Sequence, residues 1–308
     1  MVLEKSTKNS DIRIKLARYF LKTEVGENLI SVRDLASLFN LSIGLVSETI
    51  NEIENAGAVK IERRGYRGSV LLDKSIGKLW QISENEPLVI SHTLPSNRRY
   101  EGLAAALKTI FINAGIDTYF IFIRGSRTRL NALRDKKCHI AIVSQFAAEG
   151  LCKKDEKISL TLPPGSFVSE HQIFLNSPTL DSKQGLTVAI DPDSYDQSEL
   201  TKFEFNGNPG TVFKKVNFMN IALSLRQKEV DAAIWTRDDM EKEIGREFHN
   251  RELSPGTRQK SLEKDTQAAL VIRSENSVLD TLINEMVNIE EVLRIQHEVI
   301  EGKIIPEY

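Results

Sequence analysis

The chain is poor in the residues that mark several classes of protein. Only two cysteines occur among its 308 residues. Cys138 and Cys152 are too few for a disulfide framework, and we expect both to be buried. No segment approaches the roughly 20 apolar residues of a membrane span, and residues 1–20 lack the apolar core of a secretory signal. We therefore expect a cytoplasmic protein with no membrane contact.

Sequence patterns that indicate catalysis or metal binding are absent as well. The chain contains no Gly-x-Ser-x-Gly elbow, no glycine-rich phosphate loop ending in Lys-Ser or Lys-Thr, no His-Glu-x-x-His and no Cys-x-x-Cys. Its histidines show no metal-ligand spacing. We expect no catalytic residue, metal or cofactor. An enzyme and a ligand-binding protein of the transport type remain alternatives, because a fold does not fix a function.

Residues 31–72 have the spacing of a helix-turn-helix followed by a two-stranded wing. Ser31 is placed to cap a short helix that has Leu35, Ala36 and Leu38 on one face and ends at Asn40. Ser42 is placed to cap a second helix, which stops at Gly57. The inward positions of this second helix recur at three- and four-residue steps. These positions are Leu45, Val46, Thr49, Ile50 and Ile53.

The wing predicted after Gly57 is basic. One strand contains Val59 and Ile61, a glycine-bearing turn follows, and a second strand covers residues 70–72. Residues 1–74 carry a net charge of +2 and the remainder −4, so affinity for DNA must come from a local patch. The predicted DNA-binding residues are Arg33, Ser42, Ile43, Gly44, Ser47, Lys60, Arg63, Arg64, Tyr66 and Arg67.

The stretch from Ser42 to Gly57, with its glycine-containing wing, resembles the winged helix-turn-helix of GntR-type bacterial regulators. That resemblance implies binding to double-stranded DNA. Family members usually place Arg, Thr and Arg where this chain has Ile43, Leu45 and Ser47. The expected contacts therefore shift to Ser42, Ser47 and the wing arginines, which position the protein on the DNA backbone without specifying sequence. The alternative is a winged helix that serves only dimerisation.

An internal repeat predicts two α/β lobes in the rest of the chain. Residues 133–144 align without gaps with residues 225–236, and each copy reads as a helix end followed by a buried strand. Another strand and polar turn precede each copy, and a further strand precedes those, starting at residues 88 and 187. Strands that alternate with helices indicate parallel sheets.

Two α/β lobes in this order resemble the type II periplasmic-binding-protein fold, which regulators also use to sense effectors. The whole chain resembles the YhfZ-type transcriptional regulators of enteric bacteria. The resemblance implies an α+β winged helix-turn-helix domain followed by a two-lobed α/β effector domain. We expect the winged helix at residues 1–74, a linker at 75–86 and the effector domain at 87–308. Lobe 1 would cover about 87–147 and 265–308, and lobe 2 about 183–240.

The loops after the predicted strands are polar, and ligands of open α/β sheets lie at the carboxyl ends of strands. Helix N-termini there would present N–H groups to an anion, Arg124 would add a bidentate contact, and Asp193 would instead suit a hydroxyl or ammonium group. We therefore predict a small polar metabolite with an anionic end. The predicted ligand-binding residues are Ser96, Asn97, Arg98, Arg124, Gly125, Ser126, Ser144, Gln145, Asp193, Ser194, Tyr195, Asn217 and Trp235.

Each of these residues has a plainer explanation that stays open at this point. The serines are equally well explained as helix caps, Arg124 as part of a surface ion pair, and Trp235 as core. For regulation we expect a homodimer, because one recognition helix makes too few contacts with DNA. Closure of the lobes on a ligand would then change the spacing of the two recognition helices through the linker.

Overall fold

The computed structural model describes residues 2–84, 86–180, 185–238 and 248–308. They divide into two compact units. The first comprises Met1–Leu88, Thr109–Tyr119 and Ser277–Met286, and the second comprises Val89–Lys108, Phe120–Asn276 and Val287–Tyr308. No helix in the described part of the chain is long and apolar enough to cross a membrane. Both expected ends of lobe 2, near residues 183 and 240, lie outside the described residues.

The N-terminal elements form the predicted helix-turn-helix and wing. They are α1 (Val2–Lys22), α2 (Val32–Phe39), α3 (Ile43–Asn55), β1 (Val59–Arg63), β2 (Ser69–Lys74) and α4 (Ile76–Glu84). Ser31 Oγ accepts a hydrogen bond from the Asp34 N–H at 3.1 Å, and Ser42 Oγ accepts one from the Leu45 N–H at 3.3 Å. The strands β1 and β2 pair antiparallel and form the wing. Both predicted helix caps are thus confirmed.

Burial in the two helices follows the predicted faces except at Leu45, which is only half-buried, and at Leu38. Val46, Thr49, Ile50 and Ile53 of α3 are buried, but Leu38 of α2 is 66% exposed. At 100° per residue, Leu38 lies about 110° around the helix from the centre of the buried pair Leu35 and Ala36. The expectation that Leu38 shares their face is therefore wrong.

The segment expected to be a linker, residues 75–86, contains helix α4. Leu79 and Trp80 of this helix are fully buried, and Trp80 Nε1 donates to the Glu86 carbonyl at 3.0 Å. Helix α4 packs against α1, and Gly77 lies so close to Gly115 that a Cβ at Gly77 would overlap the Gly115 carbonyl oxygen. The structure thus differs from the expected linker, because adjacent apolar side chains hold the segment in the first unit.

The remaining strands build two five-stranded sheets. They are β3 (Leu88–His92), β4 (Thr118–Phe122), β5 (Ile140–Ser144), β6 (Glu156–Thr161), β7 (His171–Leu175), β8 (Thr187–Ile190), β9 (Val212–Lys215), β10 (Ala232–Thr236), β11 (His249–Glu252) and β12 (Ala268–Arg273). The helices between and after them are α5 (Arg98–Asn113), α6 (Ser126–Arg134), α7 (Gln145–Leu151), α8 (Tyr195–Phe205), α9 (Ile221–Arg226), α10 (Pro255–Ser261), α11 (Ser277–Met286) and α12 (Ile289–Ile300).

The two sheets share the same arrangement of central strands, although the fourth strand follows the other three along the chain in one sheet and precedes them in the other. Their strand orders are β4-β3-β5-β12-β6 and β9-β8-β10-β7-β11. In each sheet the third strand runs parallel to the second and antiparallel to the fourth, with β12 beside β5 and β7 beside β10. The repeat strands β5 and β10 therefore occupy equivalent central positions, and both are buried throughout. The predicted two-lobed α/β fold class is confirmed.

The repeat extends to the backbone of the turns. Lys136 and Lys228 occupy the same repeat position and adopt left-handed conformations with φ of 58° and 57°.

Cys138 is buried as expected, whereas Cys152 is only half-buried, and both thiols are free.

Candidate functional site

The outward side of α3 is the first candidate surface. We define its recognition face as Ile43, Gly44, Ser47, Glu48 and Asn51. Four of these residues are exposed and Ser47 is half-buried. The side chain of Ile43 is 51% exposed, and no atom lies within 4 Å of a Cβ built at Gly44. The face is therefore open and contains no positive charge.

Ion pairs neutralise two of the three carboxylates on α3. Arg13 Nη2 lies 2.7 Å from Glu52 Oε2, and Arg63 Nη2 lies 2.7 Å from Glu54 Oε2. Burial alone would raise the pKa of Glu54, but hydrogen bonds from Arg63 and the Ile61 N–H outweigh it and lower that pKa. Arg63 Nη2 also donates to Asn51 Oδ1 at 3.0 Å. Arg63 thus ties the wing to the recognition face.

The wing presents the remaining predicted cations. Its turn is a short 3-10 helix, Gly65–Arg67. Tyr66 is 92% exposed, the Arg67 guanidinium lies 5.5 Å from the centre of its ring, and Arg64 Nε donates to Glu62 at 2.6 Å. Lys60 and Arg33 are exposed. The outward side of α3 and the wing also border a groove of about 420 Å³, whose lining includes Ser47, Asn51, Arg63, Gly65 and Gly68.

The second candidate site is a small cavity of about 40 Å³ between the two lobes. The structure brings five of the predicted ligand residues to its wall, namely Ser96, Arg124, Gly125, Ser126 and Ser194. Ser144 lies beneath this group and donates to Asp196 Oδ1 at 2.7 Å. These residues come from loops that follow strands of both lobes.

Other predicted ligand residues have structural partners instead. Asn97 Oδ1 caps α5 by accepting from the Tyr100 N–H at 3.0 Å, and Asn217 Oδ1 accepts from the Met219 N–H at 3.0 Å. Arg98 pairs with Glu101 and Gln145 donates to Glu149. Trp235 is buried in the lobe 2 core, where its ring meets Phe218 edge to face.

Arg124 joins the lobes through two carboxylates. Its Nη1 lies 2.6 Å from Asp191 Oδ2, and its Nη2 lies 2.8 Å from Asp193 Oδ2. Burial alone would lower the pKa of Arg124, but the charges and hydrogen bonds of Asp191 and Asp193 raise it. In this closed arrangement the charge of Arg124, which was predicted to bind an anionic ligand, is already neutralised. The charge of Asp193, which was predicted to bind an ammonium group, is neutralised by the same contact.

Two glycines allow the lobes to approach this closely. A Cβ at Gly125 would lie 2.7 Å from the Asp193 carbonyl oxygen, and one at Gly150 would overlap the hydroxyl group of Tyr195. Tyr195 also donates its backbone N–H to Ser126 Oγ at 3.1 Å. Its ring centre lies 5.3 Å from that of Phe146. Tyr195 therefore contributes to lobe closure.

Arg129 is one of several cavity residues that the sequence did not predict, together with His171, Asp191 and Asp196. Its side chain is buried, with 3% of the residue exposed. The Nε atom donates to the Ile142 carbonyl at 2.8 Å and Nη1 donates to the Ile123 carbonyl at 2.9 Å. Among the described residues no acceptor contacts Nη2. Burial lowers the pKa of Arg129 to about 10, so the guanidinium stays protonated at neutral pH. The nearby carboxylate of Asp196 interacts electrostatically with this cation, but no hydrogen bond joins the two side chains among the described residues.

The spacing of residues around Arg129 in the sequence could have identified it as a buried residue. Ser126, Arg129, Leu130 and Leu133 follow one another at three- and four-residue steps, which places them on one helix face. The two leucines are fully buried. An arginine on the apolar face of a short helix is therefore a candidate buried cation.

Acidic groups complete the cavity wall. Asp196 is buried, and burial raises its pKa to about 6. His171 Nδ1 lies 2.7 Å from Asp265 Oδ2. Burial alone would lower the pKa of His171, but the hydrogen bond and charge of Asp265 raise it. No group of three or more His, Cys, Asp or Glu residues in the described ranges could hold a metal ion.

Comparisons with known proteins agree with this architecture. Residues 76–308 match the family described as YhfZ C-terminal domain, and residues 24–71 match a helix-turn-helix domain. The chain is 30% identical over 294 residues to the uncharacterized protein YhfZ of Escherichia coli (strain K12), covering 95% of each chain. The crystal structure of YhfZ from Shigella flexneri matches 72% of this chain and 93% of its own, with a TM-score of 0.60 and 27% identity.

Proposed function

Because the chain belongs to the YhfZ family, we propose that it is a cytoplasmic, ligand-responsive transcriptional regulator that acts as a homodimer. The winged helix would bind operator DNA, and the two lobes would bind a small anionic metabolite. One observation carries the proposal. A helix-turn-helix with an exposed basic wing shares its chain with an interlobe cavity that holds a buried guanidinium, Arg129, whose Nη2 contacts no acceptor among the described residues.

The wing supplies the electrostatic part of DNA binding. Arg64 and Arg67 flank or belong to its exposed turn, and Lys60 lies on the first strand. Such cations bind phosphates and release counterions, which makes affinity fall with salt concentration. In the part of the chain that the structure describes, Arg64 pairs with the half-exposed carboxylate of Glu62, and Arg67 contacts the ring and the hydroxyl group of Tyr66. They are therefore free to exchange those partners for phosphates.

The interlobe cavity would bind the anionic metabolite. Arg124 is paired with two aspartates, so we assign the contact with an anion to Arg129, helped by the hydroxyl groups of Ser96 and Ser126. A water molecule needs about 10–15 Å³ of such volume, so the cavity as it stands admits only a few atoms. Entry of a metabolite therefore requires the lobes to separate. We propose binding and not catalysis as the role of this cavity.

Selection from a random double-stranded DNA library by the full-length protein tests the DNA-binding part. We expect enrichment of a two-fold symmetric site. Arg64→Ala should weaken binding to all sequences and reduce the slope of log affinity against log salt by about one. Arg294→Ala, which removes an equally exposed arginine from α12, is the matched control and should change neither. Failure to enrich any site, with no salt-dependent binding to duplex DNA, would contradict the proposal.

Calorimetric titration with acetate and with inorganic phosphate tests the ligand part. Arg129→Lys keeps the charge but loses the planar fork, so we expect about tenfold weaker anion binding or more. Arg273→Lys is the control, because Arg273 also donates to two buried carbonyls, those of Leu133 and Cys138, but does not line the cavity. Equal losses in the two variants would assign Arg129 a purely structural role.

Regulation requires that the two sites influence each other. Coupling of this kind is typically about 1–3 kcal/mol and must be reciprocal. Saturating operator DNA should therefore change the affinity for the bound anion by the same factor as the anion changes the affinity for DNA. Identical anion affinities with and without DNA would remove the regulatory part of the proposal.

A further inference from the structure

The recognition face lacks the side chains that usually read guanine. Helix α3 contains no arginine or lysine at all. Its outward groups are the apolar side chain of Ile43, the hydroxyl of Ser47, the carboxylate of Glu48 and the amide of Asn51, with open space above Gly44. This set of groups differs in chemistry from a positively charged recognition helix, and the difference limits which base pairs it can recognise.

Base edges in the major groove have distinct partners. Guanine is read chiefly by bidentate arginine or lysine, adenine by asparagine or glutamine, and the thymine methyl group by apolar side chains. Glutamate or aspartate can accept a hydrogen bond from cytosine N4. The recognition face therefore offers a reader of adenine in Asn51, a reader of the thymine methyl group in Ile43 and one acceptor for cytosine in Glu48, but no reader of guanine. We propose that this winged helix selects A·T-rich operators, with Ile43 packed on a thymine methyl group and Asn51 bonded to an adenine. This inference rests on the proposed DNA-binding function.

Arg63 orients the amide that would read adenine. Its Nη2 donates to Asn51 Oδ1, which leaves the amide nitrogen as the group available to donate to adenine N7. A carbonyl oxygen has two lone pairs, so Oδ1 can still accept from adenine N6 while Arg63 is bound. Arg63 is thus a positioning residue for Asn51, and its own pairing with Glu54 keeps it from acting as a guanine reader.

The wing also favours A·T-rich DNA, but through the shape of the minor groove and not through contacts with base edges. A-tract DNA has a narrow minor groove whose enhanced negative potential attracts inserted arginines. Arg64 and Arg67 lie at the two ends of the exposed turn Gly65–Arg67. The neighbouring glycines have no side chain, which keeps the turn narrow. Both parts of the winged helix therefore favour A·T pairs, one by base contacts and the other by groove shape.

The library selection described above separates this inference from the proposed function. An enriched site rich in A·T pairs supports both. An enriched site whose half-sites are defined by G·C pairs overturns the inference while the regulator proposal stands. No enrichment and no salt-dependent duplex binding overturns the proposed function, and the inference falls with it.

Base analogues in the enriched site then test the two contacts. Replacing thymine by deoxyuridine at the contacted step removes one methyl group and should weaken binding about fourfold, the equivalent of about 0.8 kcal/mol. Ile43→Ala should abolish that difference, whereas Leu223→Ala, an exposed leucine on α9, should retain it. Replacing adenine by 7-deazaadenine should weaken wild-type binding but not that of Asn51→Ala. If every analogue affects each variant as it affects the wild type, α3 does not read these bases.

Discussion

The ion pairs of Arg124 predict very unequal effects for two neighbouring aspartates. The Asp191 side chain is 2% exposed. It accepts hydrogen bonds from Arg124 Nη1 at 2.6 Å, from the Phe218 N–H at 2.8 Å and from the Asp193 N–H at 3.1 Å. Asp191→Ala would leave Nη1 of Arg124 and two backbone N–H groups without their acceptor, and Arg124 would keep only its contact with Asp193. Removing one member of a buried pair costs about 3–5 kcal/mol.

The Asp193 side chain is instead 44% exposed, and among the described residues it accepts a hydrogen bond from Arg124 alone. Asp193→Ala should therefore cost less than about 1 kcal/mol, the range of exposed ion pairs. Urea denaturation of the full-length protein, followed by tryptophan fluorescence and circular dichroism, measures both free energies of unfolding. At about 2–4 °C per kcal/mol, the melting temperature should fall by roughly 6–20 °C in Asp191→Ala. Equal losses in the two variants would refute the assignment of the stabilising contacts to Asp191.

Three further predictions concern pH and packing. Because the carboxyl of Asp196 has a pKa raised to about 6 by burial, acetate should bind more tightly as the pH falls from about 7.5 to about 5.5. Asp196→Asn should reduce this pH dependence, and the remainder should come from protonation of His171 in the same cavity. Because Asp265 raises the pKa of His171 against the opposing effect of burial, protonated His171 stabilises the fold fully below its unfolded pKa of about 6.5. That contribution is lost as the pH rises through the folded pKa, so the difference in free energy of unfolding between the wild type and His171→Gln should shrink across this window. Gly77→Ala should cost about 1–3 kcal/mol in thermal unfolding, because the new Cβ overlaps the Gly115 carbonyl oxygen. Gly207→Ala, with no atom within 4 Å of the new Cβ, should cost under about 0.5 kcal/mol, and equal costs would contradict the close packing of α4.

Local chemistry explains what the sequence could predict about the fold. Ser31 and Ser42 cap their helices because a serine oxygen satisfies an N–H group that has no partner within the helix, and this depends only on neighbouring residues. The two lobes were predictable because a repeated sequence builds repeated elements. Helix α4 was not recognised, since its burial depends on residues distant in sequence, in α1 and near Gly115.

The candidate site was predictable only in outline. Loops at the ends of parallel strands do meet at the cavity, which brought Ser96, Ser126 and Ser194 together. Which arginine keeps a donor for a ligand could not be read from the loops, because the carboxylates that Arg124 meets lie in the other lobe and are distant in sequence. Arg129 lies one turn inside α6 and was overlooked because the prediction considered loops alone.

The first unit is assembled from three separate stretches of chain, and this has a consequence for how the protein is made. Helix α1 packs against α11, and Lys22 Nζ donates to Ser277 Oγ at 2.6 Å. The buried ammonium of Lys74 likewise joins the end of the wing to the end of α1 and to Glu285. A ribosome adding about 5–20 residues per second needs roughly 10–40 s to travel from residue 88 to residue 286. The helix-turn-helix therefore emerges long before its packing partners, and the unit that contains it is completed only after every strand of both lobes has been synthesised.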